Sequence, residues 1–347
     1  MSRGLAWTAA FLFHAIAGAA DAAPPEHGVA VRSVTASAPA RGQSIEVTVW
    51  YPTDAKGSSE MIGESRIFRG TPALRDAPPA EGHFPVVVMA HGGFRAAPYQ
   101  EAWLAASLAT RGYVIAVARP PVLGPKDARK AIQELWLRPA DLSAALTAIE
   151  NDPDLSPRIM VGKAAAVGFF LGATSALALA GVRFEPDRYA RSCDQPETSI
   201  DCAWFARGGI DLKRTDAAML SRSHQDERIK AAVAVDPELS TSFAPESLVG
   251  IRVPIDVINL GSPGTIPPAL DASGLRSFVP TSRYATIPGA TSFSAFNPCT
   301  PDGPALLRDD VDDDAICRDG NRPREEIHRE IAERIADALH RSLSALP

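Results

Sequence analysis

The sequence carries no excess of positive charge. Its 35 lysines and arginines are outnumbered by 41 aspartates and glutamates, for a formal net charge of −6. Nothing in that balance draws the chain to nucleic acid or to an anionic membrane. Long apolar runs are missing beyond the first two dozen residues, so no later segment is long enough to span a bilayer. There is no internal repeat. Cysteine is limited to four residues and histidine to seven: His14, His27, His83, His91, His224, His328 and His340. None of the seven falls between the last expected strand and the closing helix.

What is present is enough for a large core. The 347 residues are 46% apolar, and they show no second core, so residues 24–347 read as a single domain. The start reads as an export signal over residues 1–23. Arg3 precedes an apolar run from Leu5 to Ala20, and Ala19-Ala-Asp-Ala-Ala23 offers small residues for cleavage. The expectation is a secreted or periplasmic protein with no membrane span once that segment is removed. The cysteines fit such a destination. Four cysteines allow three pairings; the simplest is Cys193–Cys202 with Cys299–Cys317. Zinc is the competing reading, but the spacings are wide and no histidine lies nearby. A run of aspartates (Asp309, Asp310, Asp312, Asp313 and Asp314) could offer oxygens to a hard cation. It lacks the alternating spacing and glycine of a calcium loop and reads as solvated. The expectation is no metal and no cofactor.

Apolar patterning places strands and helices in alternation. Ile45–Tyr51 alternates apolar and polar residues, and Val29–Pro52 holds two strands. Asp54–Gly82 reads as an irregular excursion. Phe84–Ala90 is a continuous apolar run, suited to a central parallel strand. Tyr99–Arg111 reads as a helix, Tyr113–Val117 as a strand and Ala140–Glu150 as a helix. Ala164–Val167, Ile229–Val235, Val253–Leu260 and Ser282–Ile287 read as further strands, and Pro323–Leu343 as an amphipathic helix. A polar insertion spans residues 184–226, and an acidic loop spans residues 297–322. The fold class expected is α/β, with a mostly parallel sheet and helices on both faces.

The segment Gly168-Phe-Phe-Leu-Gly172 joins a strand to an Ala/Leu-rich helix. That layout resembles the G-x-S-x-G nucleophile elbow of α/β-hydrolases, with Phe170 where the serine belongs. The resemblance extends through Arg41-Gly-Gln-Ser-Ile-Glu-Val-Thr-Val-Trp-Tyr-Pro-Thr53, His91-Gly92, Arg138-Pro-Ala-Asp-Leu142, Ala232-Val-Ala-Val-Asp-Pro237, Pro288-Gly-Ala290 and Asn297-Pro-Cys299. In that order these pieces resemble the secreted dienelactone-hydrolase-like proteins and the platelet-activating-factor acetylhydrolase family.

The resemblance implies a Ser-Asp-His order, with each residue at the carboxyl end of a strand. The matching positions hold Phe170, Gly264 and Ser292. A benzyl side chain has no lone pair and no nucleophilicity. The implied oxyanion donors are the amides of Gly93 and Leu171. Polar residues that could act in place of the triad are His91, Asp236 and Ser292, although the plainer role for His91 is to order its own loop. His328 and His340 read as packing or surface residues of the closing helix. The expectation is therefore an exported hydrolase-fold protein without Ser-His-Asp catalysis. It would bind a small apolar or acylated ligand, or a protein partner, through a pocket lined by Phe169, Phe170 and Leu171. The alternative is an active secreted esterase or lipase-like enzyme using a non-standard site.

Overall fold

The computed structural model describes residues 27–94, 97–195, 199–311 and 314–346. The export signal read at residues 1–23 lies outside them. Ten strands form one sheet: β1 (Gly28–Ala38), β2 (Gln43–Thr53), β3 (Glu60–Ile62), β4 (Thr71–Arg75), β5 (Phe84–Ala90), β6 (Val114–Arg119), β7 (Ile159–Phe169), β8 (Ile229–Val235), β9 (Ile255–Leu260) and β10 (Ser282–Ile287). Their order across the sheet is β10-β9-β8-β7-β5-β6-β2-β1-β4-β3. From β6 to β10 every neighbouring pair is parallel, while β2 runs antiparallel to both β6 and β1.

Strand periodicity buries apolar side chains on both faces of the sheet. Val87 and Met89 of β5, with Ile115 and Val117 of β6, face one side. There they meet Leu104 and Leu108 of the helix Ala102–Thr110, and Ile327, Ile331, Ile335 and Leu339 of the helix Arg324–Ser344. Val86 and Val88, with Val114 and Ala116, face the other side. They pack on Leu142, Leu146 and Ile149 of the helix Glu134–Asn151, and on Ala176 and Leu179 of the helix Leu171–Leu179. Both faces of the central strands are thereby buried, which is why those strands read as continuous apolar runs. Among the described residues no helix is long and apolar enough to cross a membrane.

Several expectations need correction. The excursion 54–82 is partly ordered as β3 and β4, because β4 pairs with the outer side of β1. The insertion 184–226 is less polar than its composition: Tyr189, Trp204, Phe205, Leu212 and Leu220 are buried in it. The helix expected at Ala140 begins at Glu134 and runs through Pro139. The acidic loop 297–322 contains a helix, Gly303–Val311. Asp314 there is held by Arg308 and Arg318; Asp312 and Asp313 lie outside the described residues. The disulfides are Cys193–Cys202 and Cys299–Cys317.

Candidate functional site

The tip of β7 turns into the helix Leu171–Leu179 through a single strained residue. Phe170 has φ 57° and ψ −125°, a conformation that L side chains rarely adopt. The turn is held on three sides. Phe170 N–H donates to Val235 O (3.0 Å), and Phe170 O accepts from Thr174 N–H (3.1 Å) and Glu238 N–H (3.4 Å). The flanking glycines are sterically required. A Cβ at Gly168 would lie 2.2 Å from the Gly172 carbonyl carbon, and one at Gly172 would lie 2.3 Å from Ala90 O. The sharp elbow is intact, with an aromatic ring at its tip.

Phe170 borders a cleft of about 850 Å³. Phe169 and Leu171 do not, contrary to the expectation. Phe169, the last residue of β7, is fully buried in one core, and Leu171, the first of the helix, in another. The rim comes from three loops: Ile67 and Phe68 from the excursion, Ile200 from the first disulfide loop, and Leu307 and Ile316 from the second. The excursion is tied to the second disulfide loop by a β-bridge between Phe68 and Cys299, and by Arg69 N–H donating to Pro298 O (2.8 Å).

The backbone expected to form an oxyanion hole lies beside a carboxyl group of the protein itself. Glu238 is 5% exposed and lines the cleft. The Leu171 backbone is among the groups that hold its carboxyl down. Gly93 lies against the same group: a Cβ there would come 3.1 Å from Glu238 Oε1. Burial and the neighbouring Asp201 push the Glu238 carboxyl up to about 8, with Arg138 and the Leu171 amide opposing. Arg138 in turn fixes the Gly92–Phe94 backbone. Its Nη1 donates to Gly92 O (3.0 Å) and its Nη2 to Gly93 O (2.9 Å). Glu134 links Arg138 to Arg41, which also makes a paired contact with Asp141 (2.9 and 2.8 Å). The two motifs around Arg41 and Arg138 thus brace the loop beside the elbow.

His91 is spent on structure, though not in its own loop. Its Nε2 donates to Ala295 O (3.2 Å), an acceptor it shares with Trp103 Nε1 (3.0 Å). His328 stacks on Trp103 at 3.7 Å and sends its Nε2–H to Ser294 O (2.9 Å) and Phe296 O (3.1 Å). Three consecutive carbonyls are therefore clamped by two imidazoles and an indole. Burial holds His91 down to about 4 and His328 down to about 3, so both stay neutral near pH 7. His91 also packs edge-on to Phe170 and Phe296.

Asp236 sits at the end of β8 with no exposed surface and a φ of 46°. Its Oδ1 accepts from Asn259 Nδ2 (2.7 Å) and Leu260 N–H (2.9 Å). Burial raises this carboxyl to about 7, and Ser292 is among the groups that lower it. Ser292 faces the other carboxyl oxygen, yet no hydrogen-bond geometry joins them: Asp236 Oδ2 and Ser292 Oγ each lack a partner. Ser292 also lines the cleft. Gly264 stands apart. It occupies an exposed turn at φ 85°, and nothing lies within 4 Å of where its Cβ would be. The structure thus brings Phe170, Gly93 and Ser292 to one cleft, buries the Leu171 side chain away from it, sets Asp236 behind Ser292, and leaves Gly264 outside. Glu238, Asp201 and Arg138 were missed as site residues. The one signal was Arg138 within the Arg-Pro-Ala-Asp-Leu motif; Glu238 lies just past Asp236-Pro237.

The fold has counterparts among solved structures. The chain has an α/β-hydrolase fold. It superposes on a ferulic acid esterase from Streptomyces cinnamoneus with a TM-score of 0.59 and 17% identity, over 95% of this chain and 93% of that one. It superposes on a dienelactone hydrolase from Anabaena variabilis with a TM-score of 0.50 and 13% identity, over 91% and 99%. No family model matches the chain, and no curated protein matches it in sequence. At such identities the α/β-hydrolase fold is what is shared, and the reaction does not follow from it.

Proposed function

We propose that this is an exported α/β-hydrolase-fold protein that binds a small apolar ligand in the cleft and does not carry out Ser-His-Asp ester hydrolysis. The observation that carries the reading is Phe170 at the tip of an intact elbow, its ring bordering the cleft. A phenyl group there cannot attack a carbonyl, and it fills space an acyl group would need. Two further features support the reading. The Glu238 carboxyl stands beside Gly93, where an oxyanion would need open space. His91 is fixed by its Nε2–H on Ala295 O, and its ring packs edge-on against Phe170 with no hydroxyl at the elbow tip to deprotonate. Export is supported by the N-terminal sequence and by two disulfides, which persist in oxidising compartments.

The cleft suits ligand capture. Apolar surface from Phe170, Leu260, Leu270, Phe296 and Leu307 lines it, and burial of such surface contributes about 25 cal/mol per Å². The test pairs two assays on purified protein. p-Nitrophenyl butyrate turnover is expected at the uncatalysed background. Nile red is expected to gain fluorescence on binding, and Phe170→Trp, which narrows the cleft, to reduce that gain. Turnover well above background that disappears in His91→Ala would instead establish the esterase.

A further inference from the structure

We infer that a second site, separate from the cleft, binds an uncharged oligosaccharide in a groove across the start of the helix Glu134–Asn151, centred on Trp136. None of the described residues lining this groove borders the cleft.

The groove starts from a helical pattern. The short helix Ala128–Ala131 runs almost directly into the helix Glu134–Asn151: Gln133 N–H donates to Lys130 O (3.0 Å), and Trp136 N–H to Gln133 O (3.2 Å). Arg129, Gln133 and Trp136 are spaced i, i+4 and i+7, so they share one face. Two hollows adjoin on that face. One, of about 390 Å³, is bounded on its far side by the insertion through Asp211, Arg214, Thr215 and Asp216. The other, of about 350 Å³, is bounded by Arg41, Gln43 and Leu123. Gln133 and Trp136 line both. Each hollow alone is at the small end of ligand sites. Joined at Trp136, they make a track for an extended molecule.

The groups that meet at this track have bonding capacity to spare. Trp136 is half-buried; it packs against the core under the insertion and still lines the groove. Among the described residues nothing pairs with the Trp136 indole N–H, the Gln133 amide or the guanidinium groups of Arg129 and Arg214. Thr215 Oγ1 is buried without a partner. Asp211 and Asp216 each use Oδ1 to cap a following turn, on Lys213 N–H (3.1 Å) and on Ala218 and Met219 N–H (3.0 and 3.1 Å). Their other oxygens remain as acceptors. The second hollow has a fixed wall, since Arg41 donates twice to Glu134 (2.8 and 2.7 Å).

Sugars use this combination in full. A hydroxyl donates to a carboxylate oxygen and accepts from a guanidinium N–H, so a single sugar ring can engage both kinds of group in the first hollow. The C–H face of a pyranose ring is apolar and lies flat on an indole, whose N–H can meet a hydroxyl at the ring edge. A linear chain then sets one ring on Trp136 and a neighbour in each hollow. A carboxylate or an ammonium group would gain from one pair of side chains and be opposed by the other, Arg129 and Arg214 against Asp211 and Asp216.

The experiment titrates the full chain with cellohexaose, maltohexaose, glucose and hexagalacturonate, read by calorimetry and by tryptophan emission. At least one of the two uncharged chains is expected to bind, with glucose about tenfold weaker or worse because it fills one position of the track. Hexagalacturonate should bind no better than the uncharged chain. Trp136→Ala should lower that affinity about tenfold or more, whereas Trp136→Phe keeps an aromatic face and should stay within about threefold of the parent. Arg214→Ala, at an exposed loop position, should also weaken binding, and an unchanged thermal midpoint shows that each variant is folded. Absence of binding by both uncharged chains at about 10 mM overturns the inference. So does tighter binding of hexagalacturonate, an affinity unchanged in both Trp136→Ala and Arg214→Ala, or displacement of cleft-bound Nile red by the sugar.

Discussion

Asp236, just past the end of β8, lies beside Ser292 in the short turn Ser292–Ala295 that follows β10, and both Asp236 Oδ2 and Ser292 Oγ are buried without a partner. A buried carboxylate oxygen without a donor is costly to keep. An imidazole at position 292 would supply that donor through Nδ1–H and turn Nε2 toward the elbow tip, as in a triad. Asp236 is thus the carboxyl placed to meet an imidazole at position 292, while Gly264 occupies an exposed turn at positive φ.

The double substitution Phe170→Ser with Ser292→His is therefore expected to raise p-nitrophenyl butyrate hydrolysis measurably above background, with native Asp236 as the third member. Adding Asp236→Asn should remove most of the gain. Adding Glu238→Ala should enlarge it, because the carboxyl that stands beside Gly93 is then gone from the space an oxyanion would need; a single oxyanion donor is worth about 10²–10³ in rate. Equal rates with and without Asp236→Asn would refute the assignment of Asp236, and a need for Gly264→Asp would point to the other acid position.

Glu238 sets a slope on the alkaline side of stability. Its folded value of about 8 lies above its ordinary 4.5, so the folded chain keeps a proton that the unfolded chain releases between those values. That contribution makes stability fall as pH rises from about 4.5 to about 8. Glu238→Gln should therefore stabilise more at pH 8 than at pH 4.5, read as the shift in urea midpoint. A shift independent of pH would contradict the burial of an ionisable carboxyl there.

His91 and His328 act in the opposite direction. Their folded values, about 4 and about 3, lie below the ordinary 6.5, so the unfolded chain takes up protons that the fold excludes. Stability contributed by the neutral rings is complete above pH 6.5 and declines as pH falls toward 3. His328→Gln keeps a donor for Ser294 O and Phe296 O and should flatten the decline. Urea midpoints of the parent and the variant that run parallel from pH 7 to pH 4.5 would count against the clamp.

Much of the scaffold was legible in the sequence. Ile229–Val235 and Ser282–Ile287 are strands with the limits that patterning gives them. The elbow was legible because two glycines spaced four apart between an apolar strand and an Ala/Leu helix have a steric meaning, which Gly168 and Gly172 fulfil. Pro139 sits inside the helix Glu134–Asn151, although an interior proline lacks the amide a helix needs. The helix begins earlier because Glu134 and Arg138 on its first turns are anchored by Arg41 and by the Gly92 and Gly93 carbonyls. β4 was hidden because its pairing with β1 is long-range and its sequence carries little alternation. Glu238 was illegible for a related reason. Its role depends on reaching from the turn after β8 to Gly93 and Leu171, a proximity that only the assembled sheet creates.

The account stands most directly on the chemistry at position 170. Incubating the purified chain with a fluorophosphonate probe and measuring intact mass and tryptic peptides asks whether any serine in it is an activated nucleophile. The expected result is an unchanged mass for the parent protein, with an adduct appearing at position 170 once Phe170→Ser is combined with Ser292→His. Stoichiometric labelling of any serine in the parent chain would contradict it.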